Sequence, residues 1–356
     1  MKVLHIITTI DRGGAENQLV ILLREQVKLH DVTVLPLIGS LELLEEMTKL
    51  GVKVLSQFAN RKFVAQITGI RFYLKVHPYD LIHAHLPRSE ILASLVVSTQ
   101  KLISTRHNAE TFWPNHPGRI SRILAKIATR RAIKVICISK TVADFVSRYE
   151  EVSCINKLEV VHYGFEISSN SITLRPGKKT SLRIVNVARH VAQKDIYTLL
   201  NGFYLFLSYS PESTLTLVGH GVESEKIKSE IERLGIEASV DIIEKEADVV
   251  QLLKKFDVFA LTSLYEGFGM VYFEATVSGL PILSSRHETS IELLGIEYQG
   301  LFKTGASPDL CKLLIRCLNN RFCFNLIADA TFKLQRFSVS EMNQKFEKIY
   351  TEAINS

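Results

Sequence analysis

The sequence predicts an α/β protein made of two halves, each a parallel sheet covered by helices. Three observations predict it. Short apolar runs rich in Val, Ile and Leu alternate with helical segments along nearly the whole chain, the pattern of repeated βα units. Several of these runs end in turns bearing glycine or histidine, at the strand ends where open parallel sheets bind ligands. A stretch rich in Ser, Asn, Pro, Gly and Lys, Ile167 to Lys179, divides the alternation into two series and reads as a linker. A length of 356 residues suffices for two ordinary domains, and 46% hydrophobic residues with few prolines indicate a globular chain.

In the first series, residues 3–8 read as a strand. Thr9-Ile10-Asp11-Arg12-Gly13-Gly14-Ala15-Glu16 and a helix to about Lys28 follow. Paired glycines at a strand's carboxyl end either let a ligand approach the backbone closely or simply make a turn. There is no G-x-G-x-x-G, so a dinucleotide fingerprint is excluded. Val32–Leu35 and Val52–Leu55 read as strands with a helix at 41–50 between them. Leu81-Ile82-His83-Ala84-His85 is a strand with both histidines on one face. Metal is rejected there because no third ligand stands at a sensible spacing. A helix from Ser89 to Val97 leads to the run Leu102-Ile103-Ser104-Thr105-Arg106-His107-Asn108, in which His107 sits just past the strand's end, as a catalytic or a structural histidine. Residues 119–134 read as a helix with six cations and no acid, and Ile120, Ile123, Leu124, Ile127 and Ala128 supply its apolar side. The strand Val135–Ser139 and the run Val160–Gly164 end this half.

The second series opens with the strand Leu182–Val187 and then Ala188-Arg189-His190-Val191-Ala192-Gln193-Lys194-Asp195. Arg189 and Lys194, after a strand and before a helix, suit a diphosphate: Arg as a fork, Lys as a point charge. Solvated surface cations are the plainer alternative. Leu215–Val218 runs into Gly219-His220-Gly221, again strand then glycine turn. Glu223–Leu234 is a charged helix, Val240–Ile243 a strand, and 247–255 a helix. The buried strand Val258–Leu261 then meets Glu266-Gly267-Phe268-Gly269-Met270-Val271-Tyr272-Phe273-Glu274. A buried helix, Val271 to Leu280, is closed by Gly279 and Pro281. Free backbone N–H groups at such a turn favour an anion. The two flanking carboxylates, Glu266 and Glu274, favour hydroxyls instead. The pattern suits a phosphate joined to a sugar. Two acids as a glycosidase pair are disfavoured, because eight helical residues would separate them by about 12 Å. Residues from 307 onward read as helices, the last from about Ser338 to Ile354 with Ser338 or Ser340 as its cap.

The formal charge of +6 is unevenly placed: residues 1–165 carry +8 and the rest −2, so the first half should meet the anionic partner. Met1-Lys2 leads straight into a strand, too short for a signal peptide, and no run reaches a membrane span. Five cysteines, an odd number without C-x-x-C, suggest reduced thiols in a cytoplasmic protein. Cys311, Cys317 and Cys323 read as core or surface residues rather than ligands.

With those residues in view, the chain resembles the retaining glycosyltransferases of the GT-B fold, family 4. Carriers of the resemblance are Gly13-Gly14-Ala15-Glu16, Ser104-Thr105-Arg106-His107, Arg189 with Lys194, Leu217-Val218-Gly219-His220-Gly221, and the E-x7-E pair Glu266 and Glu274. The resemblance implies two Rossmann-like domains facing across a cleft. It implies an acceptor-binding domain at 1–166, a linker at 167–180, a nucleotide-sugar domain at 181–337, and a helix at 338–356 crossing back to the first domain. It implies that Glu274 holds the ribose, that Arg189 and Lys194 neutralise the diphosphate, and that the backbone of Gly267, Phe268, Gly269, Met270 and Val271 contacts phosphate and sugar. Glu266 would bind sugar hydroxyls, His107 would contact the donor sugar, and Gly14, with Gly13 and Glu16 beside it, would approach the diphosphate. Gly219 belongs to the expected substrate-binding set.

The implied activity is transfer of a hexose from a nucleotide diphosphate sugar, UDP-linked by expectation, to a glycan or lipid-linked acceptor of the cell envelope. The donor is a co-substrate, and neither cofactor nor metal is expected. Nucleic acid is not an expected partner; an anionic membrane surface is, through 119–134, on the inner face of the cytoplasmic membrane. A nucleotide-sugar 2-epimerase of the same fold and a non-catalytic nucleotide-sugar-binding protein are the competing functions. The sequence departs from the family at Glu244-Lys245-Glu246, near the expected base, and at Arg286-His287-Glu288-Thr289, where glycines are common.

Overall fold

The computed structural model describes residues 1–97, 101–113, 118–166, 178–246 and 248–355. The chain divides into two units, Met1–Phe165 with Phe337–Ser356, and Glu166–Arg336. Most of the expected linker, 167–177, lies outside the described residues.

Unit 1 is a seven-stranded parallel sheet in the order β3-β2-β1-β4-β5-β6-β7. Its strands are β1 (Lys2–Ile7), β2 (Asp31–Pro36), β3 (Lys53–Val54), β4 (Leu81–His85), β5 (Lys101–Arg106), β6 (Lys134–Cys137) and β7 (Leu158–Val160). The crossovers are α1 (Gly14–Gln26), α2 (Leu44–Lys49), α3 (Phe63–Val76), α4 (Pro87–Val96), α5 (Gly118–Arg130) and α6 (Lys140–Arg148). β1, β2 and β4 are buried along almost their whole length, which is why β1 and β2 read as nearly continuous apolar runs, while β4 buries two histidines as well. The expected helix 119–134 stops at Arg130, and Lys134 already belongs to β6. Helices α3 and α6 are additions to the sequence reading.

The last helix, α14 (Val339–Asn355), belongs to unit 1. The Ser338 hydroxyl accepts the Glu341 N–H at 3.1 Å, so Ser338 is its cap. Met342, Phe346, Ile349 and Tyr350 close the core over Val3, Leu81, Ile103 and Leu22 of α1. At about 25 cal/mol per Å² of apolar surface, such a helix is held by its buried face rather than by propensity.

Unit 2 is a six-stranded parallel sheet, β10-β9-β8-β11-β12-β13. It contains β8 (Arg183–Val187), α7 (Ile196–Leu207), β9 (Thr214–Val218), α8 (Ser224–Leu234), β10 (Val240–Ile243), α9 (Val249–Leu253), β11 (Val258–Leu261), α10 (Met270–Val277), β12 (Ile282–Ser285), α11 (Glu288–Leu294), β13 (Leu301–Phe302), α12 (Ser307–Cys317) and α13 (Asn320–Leu334). All five cysteines are free thiols; Cys317 and Cys323 are buried, and the Cys323 thiol donates to the Cys317 carbonyl at 3.2 Å. Among the described residues no helix is long and apolar enough to cross a membrane.

Candidate functional site

The candidate residues fall into two clusters, one at the carboxyl end of each sheet. In unit 2 the strand order reverses between β8 and β11, and open sheets bind ligands at such a switch point. The loop after β8 carries Arg189 and Lys194; the loop after β11 carries Glu266.

Two glycines let the β8 loop sit where it does. Gly219 has φ +135°, and a Cβ there would lie 2.0 Å from the Ala188 carbonyl oxygen; a Cβ on Gly221 would lie 2.3 Å from that of His190. The His190 N–H donates to the His220 carbonyl at 2.9 Å. The glycine turn after β9 thus packs backbone to backbone against the loop that presents Arg189. Arg189 itself is exposed and pairs with no acid among the described residues.

Lys194 ends a short turn, Ala192–Lys194, after which Asp195, with φ +44°, caps α7 by accepting the Thr198 N–H at 3.4 Å and also accepts the Thr198 hydroxyl at 2.6 Å. The two loops are laced together: the Leu264 N–H donates to the Gln193 carbonyl at 2.8 Å, and the Thr262 hydroxyl to the Lys194 carbonyl at 3.0 Å. Lys194 Nζ meets Glu266 Oε1 at 2.5 Å, and the Ser263 hydroxyl donates to the same oxygen at 2.6 Å. Two residues expected to hold different parts of one ligand are therefore paired with each other here. Glu266 is 5% exposed, so the pair offsets a carboxylate that would be costly to bury alone.

Glu266 precedes the helix. Residues 264–269 form a turn, and α10 starts at Met270, so the eight-residue spacing to Glu274 is part loop and part helix, and the 12 Å helical estimate does not apply. Gly269, at φ +76°, begins α10; a Cβ there would meet the Tyr272 ring at 2.6 Å. Phe268 stacks on Phe273 with centroids 5.4 Å apart, fixing the turn against the helix. Glu274, one turn into α10, is mostly buried, and its carboxylate takes no hydrogen bond among the described residues. Burial alone pushes its pKa up to about 7. A carboxylate in that position, with no protein partner among the described residues, is open to hydroxyl donors.

The departure at 286–289 proves structural. His287 Nδ1 accepts the Ser290 N–H at 3.2 Å and caps α11. Its Nε2 then carries the proton and donates to the Tyr272 hydroxyl at 3.2 Å, while Tyr272 lies 2.6 Å from Ser284 Oγ. The Thr289 hydroxyl donates to the Glu266 carbonyl at 2.6 Å. Glu244 to Glu246 follow β10 at the outer edge of the sheet, and Glu246 accepts the Asp248 N–H at 2.9 Å.

In unit 1, Gly13 and Gly14 open α1 just past β1. Asp11 ties their loop down by accepting from the Ser40 hydroxyl and the Leu41 N–H, both at 2.8 Å. The Glu16 carboxylate folds back over Gly13, where a Cβ would come within 2.4 Å of Oε2, and burial raises its pKa. At the end of β5, buried Arg106 lies 3.2 Å from Glu90 and 3.6 Å from Glu151, with its guanidinium 4.1 Å from the Phe112 ring centre. Burial pushes Glu90 up to about 7 against the opposing pull of Arg106. This clamp fixes the backbone that presents His107. His107 Nδ1 meets the Tyr163 hydroxyl at 2.5 Å, and Nε2 meets His85 Nδ1 at 3.4 Å. Burial, helped by Arg106, lowers its pKa to about 3, so the ring is neutral. A cavity of about 20 Å³ beside it, lined by Gln18, Thr105, Tyr163 and Met342 among others, has room for a water and not for a sugar.

The rejection of metal at His83 and His85 rested on the lack of a third ligand, and the structure corrects that premise. β1 runs beside β4 with His5 opposite His83, and the ligand atoms of His5, His83 and His85 all lie within 4.8 Å of one another. Their nitrogens are nonetheless engaged elsewhere: His5 with His85 at 2.9 Å and Gln26 at 2.8 Å, His83 with the Tyr350 and Thr105 hydroxyls at 2.6 Å each. His5, Gln26 and Tyr350 were outside the sequence reading. Only the alternation of β1, with Val3, His5 and Ile7 on one face, hints at the first.

Comparison with known proteins places these clusters in context. A family model described as "Glycosyltransferase Family 4" matches residues 12–169, and one described as "Glycosyl transferases group 1" matches residues 174–327, so the two lie side by side along the chain. The amylovoran biosynthesis glycosyltransferase AmsK of Erwinia amylovora is 26% identical over 169 residues; the match covers 45% of this chain and 42% of that protein. The chain thus spans less than half the length of that relative. The GalNAc-alpha-(1->4)-GalNAc-alpha-(1->3)-diNAcBac-PP-undecaprenol alpha-1,4-N-acetyl-D-galactosaminyltransferase of Campylobacter jejuni is 24% identical over the full length of both chains. Among solved structures, Anabaena Alr3699/HepE in complex with UDP and glucose superposes with a TM-score of 0.81 at 22% identity, covering 99% of this chain and 100% of that one. At that identity the likeness speaks for the fold alone.

Proposed function

The chain belongs to the group 1 glycosyltransferases of the GT-B fold, and from that premise we propose that it moves a hexose from a UDP-sugar to a lipid-linked or polysaccharide acceptor of the cell envelope. The observation that carries the reading is the switch-point cluster of unit 2: Lys194 and Glu266 meet at the turn that opens α10, the exposed Arg189 stands on the same β8 loop as Lys194, and the Glu274 carboxylate lies one turn along α10. The named complex of HepE with UDP supports the choice of base, and the undecaprenol-linked substrate in the Campylobacter relative's name supports the acceptor class.

In this reading Glu274 takes the two ribose hydroxyls as donors. Arg189 and Lys194 hold the diphosphate. The N–H groups at the start of α10 share its charge, since a helix N-terminus favours an anion. Glu266, with one oxygen bonded to Lys194 and Ser263, offers the other to sugar hydroxyls. His107 contacts the donor sugar. Gly13, Gly14 and Glu16, at the start of α1, complete the proposed substrate-binding set.

The reaction breaks the bond between the anomeric carbon and the diphosphate oxygen. The electron pair goes to the diphosphate, positive charge grows on the sugar, and fixed cations on the leaving group stabilise that separation. The acceptor hydroxyl attacks from the leaving group's side, a diphosphate oxygen takes its proton, and the anomeric configuration is retained. The two cations serve where a divalent metal otherwise would, so turnover needs none.

The test is incubation of the protein with radiolabelled UDP-sugars and an envelope lipid extract, with and without excess EDTA. Labelled glycolipid formed equally in both supports the proposal. Release of an epimerised nucleotide sugar, or binding without transfer, overturns it. Rescue of EDTA-treated enzyme only by added metal overturns the metal-independent step.

A further inference from the structure

The sheet of unit 1 carries a row of polar side chains through an apolar layer. His5 on β1, His83 and His85 on β4, and Thr105 and His107 on and just past β5 lie on the face covered by α1 and α14. His5 and His83 are fully buried, and His85 is 3% exposed. A polar group there must be hydrogen-bonded or it destabilises the fold. The contacts form one continuous chain. His107 Nε2 meets His85 Nδ1 at 3.4 Å, His85 Nε2 meets His5 Nδ1 at 2.9 Å, and His5 Nε2 meets Gln26 Oε1 at 2.8 Å. Gln26 Nε2 meets the Tyr350 hydroxyl at 3.2 Å, which meets His83 Nδ1 at 2.6 Å.

A neutral imidazole has one N–H donor and one lone pair, so in an unbroken chain the choice at one ring dictates the next. Gln26 Oε1 can only accept. His5 therefore donates from Nε2 and accepts at Nδ1. His85 must then donate from Nε2 and accept at Nδ1, and His107 must do the same. The Tyr163 hydroxyl donates to His107 Nδ1 and closes the row. On the other side the Gln26 amide donates to Tyr350, Tyr350 donates to His83 Nδ1, and His83 Nε2 donates to Thr105. Turning the Gln26 amide over would reverse the direction of both arms.

We propose that Gln26, about three side chains away from the site, is a positioning residue: through His5 and His85 it holds His107 as the Nε2–H tautomer and so fixes its ring for the donor sugar. The consequence for turnover rests on the role given to His107 above, but the tautomer itself is a property of the free protein. Burial lowers the pKa of every ring in the row, which keeps each neutral and the chain of donors intact.

Nitrogen-15 NMR of the histidine side chains in the full-length protein tests it, with single His→Gln variants for assignment. In wild type His107 and His85 should both carry the proton on Nε2. Gln26→Leu removes the acceptor, so His107 should shift to the Nδ1–H form or a mixture. Gln26→Glu keeps an acceptor toward His5 in either protonation state and should retain the wild-type pattern, which guards against a Leu variant that merely unfolds. With the donor sugar nucleotide, Gln26→Leu should lower kcat about tenfold, the scale of losing a histidine's orienting partner, and Gln26→Glu should restore it. A wild-type His107 protonated on Nδ1, or a His107 tautomer unmoved in a folded Gln26→Leu, overturns the proposal. So does stoichiometric Zn2+, added alone, shifting the His5, His83 and His85 signals together, since the row would then be a metal site. Unchanged kcat with an altered tautomer removes the positioning role, while loss of transfer in His107→Ala separately tests the sugar contact.

Discussion

Single residues in unit 2 carry most of the proposed chemistry, and their surroundings separate their behaviour. Glu274 is an acid held near pKa 7 by burial alone. Two ribose hydroxyls donating to the carboxylate bind it more strongly than its protonated form, which keeps one good acceptor and adds a competing donor, so binding should lower that pKa and affinity should rise with pH. Between pH 6 and 8 the affinity for UDP-glucose, whose diphosphate diester does not titrate there, should rise about tenfold in wild type, following the ionised fraction of one group. Glu274→Gln should bind weakly and show no such rise; calorimetry finding the same pH dependence in both would remove the ribose role. Arg189 and Lys194 should differ from each other. Arg189 is exposed and supports nothing, so Arg189→Ala should cut kcat at least ~10² with stability unchanged. Lys194→Ala should cut kcat similarly and also cost about 3 kcal/mol or more of stability, because it strands the buried Glu266 carboxylate. Chemical denaturation of the two variants decides: equal stability of both would contradict the pairing seen here. The individual site residues stood out in the sequence because glycine turns and charges at strand ends are local signals. What could not be read was that Lys194 and Glu266, far apart in sequence, share one hydrogen bond, or that His287 serves as a helix cap.

At the scale of elements, the strands were legible wherever burial on both faces made a nearly continuous apolar run, as in β1 and β11. Elements escaped where the pattern is mixed. α3 exposes Val64, Phe72 and Val76, so its apolar residues show no single face, and β13 is two residues long. The histidine row was illegible for another reason: its members come from three strands and two helices, and only the register of β1 against β4 puts His5 opposite His83. That row gives unit 1 a pH signature. Each ring titrates near 6.5 when unfolded but below that when folded, to about 4 for His5 and about 3 for His107. The unfolded chain therefore binds more protons, and the row's contribution is present above about pH 6.5 and lost as pH falls. Glu16, Glu90 and Glu151, raised by burial, act in the opposite sense. The cleaner measurement is thus a difference: in His83→Asn the slope of unfolding free energy between pH 6.5 and 5 should be shallower than in wild type by up to about 1.4 kcal/mol per pH unit. Parallel slopes would mean that His83 is not held neutral by the fold.

At the scale of the whole molecule, the excess of positive charge in the first 165 residues raises the question of what unit 1 faces. The sequence reading gave α5 one apolar side, facing either the core or a membrane, and the structure divides that side: Ala128 and Leu124 pack inward and the isoleucines do not. Ser121, Ala125, Ala128 and Thr129 are buried, while Ile120, Ile123 and Ile127 are 47%, 58% and 44% exposed. Small residues bring the helix close to α4, and the isoleucines stand outward among Arg119, Lys126 and Arg130. Three exposed isoleucines at spacings of three and four, ringed by cations, give α5 the amphipathic pattern that suits a membrane interface. The cations differ in duty. Arg131 donates to the Val97 carbonyl, and Arg122 and Lys126 both reach Glu150, at 3.3 and 3.4 Å. Changing Arg131 would disturb the end of α4, so it is a poor probe. We therefore predict peripheral, salt-reversible binding to anionic vesicles, each basic residue near the surface contributing roughly 1 kcal/mol. The isoleucines add an apolar component that salt does not screen. Arg119→Gln with Arg130→Gln should weaken binding at low salt and leave less for salt to reverse. Ile123→Ser with Ile127→Ser should weaken it at all salt concentrations and leave transfer to a water-soluble acceptor intact. Vesicle co-sedimentation in which wild type fails to bind at low salt, or in which both double variants bind as wild type does, would sink the idea. A lipid-linked acceptor, as proposed above, would lie in the same plane as such a helix, so docking would hold unit 1 at the surface that carries the acceptor.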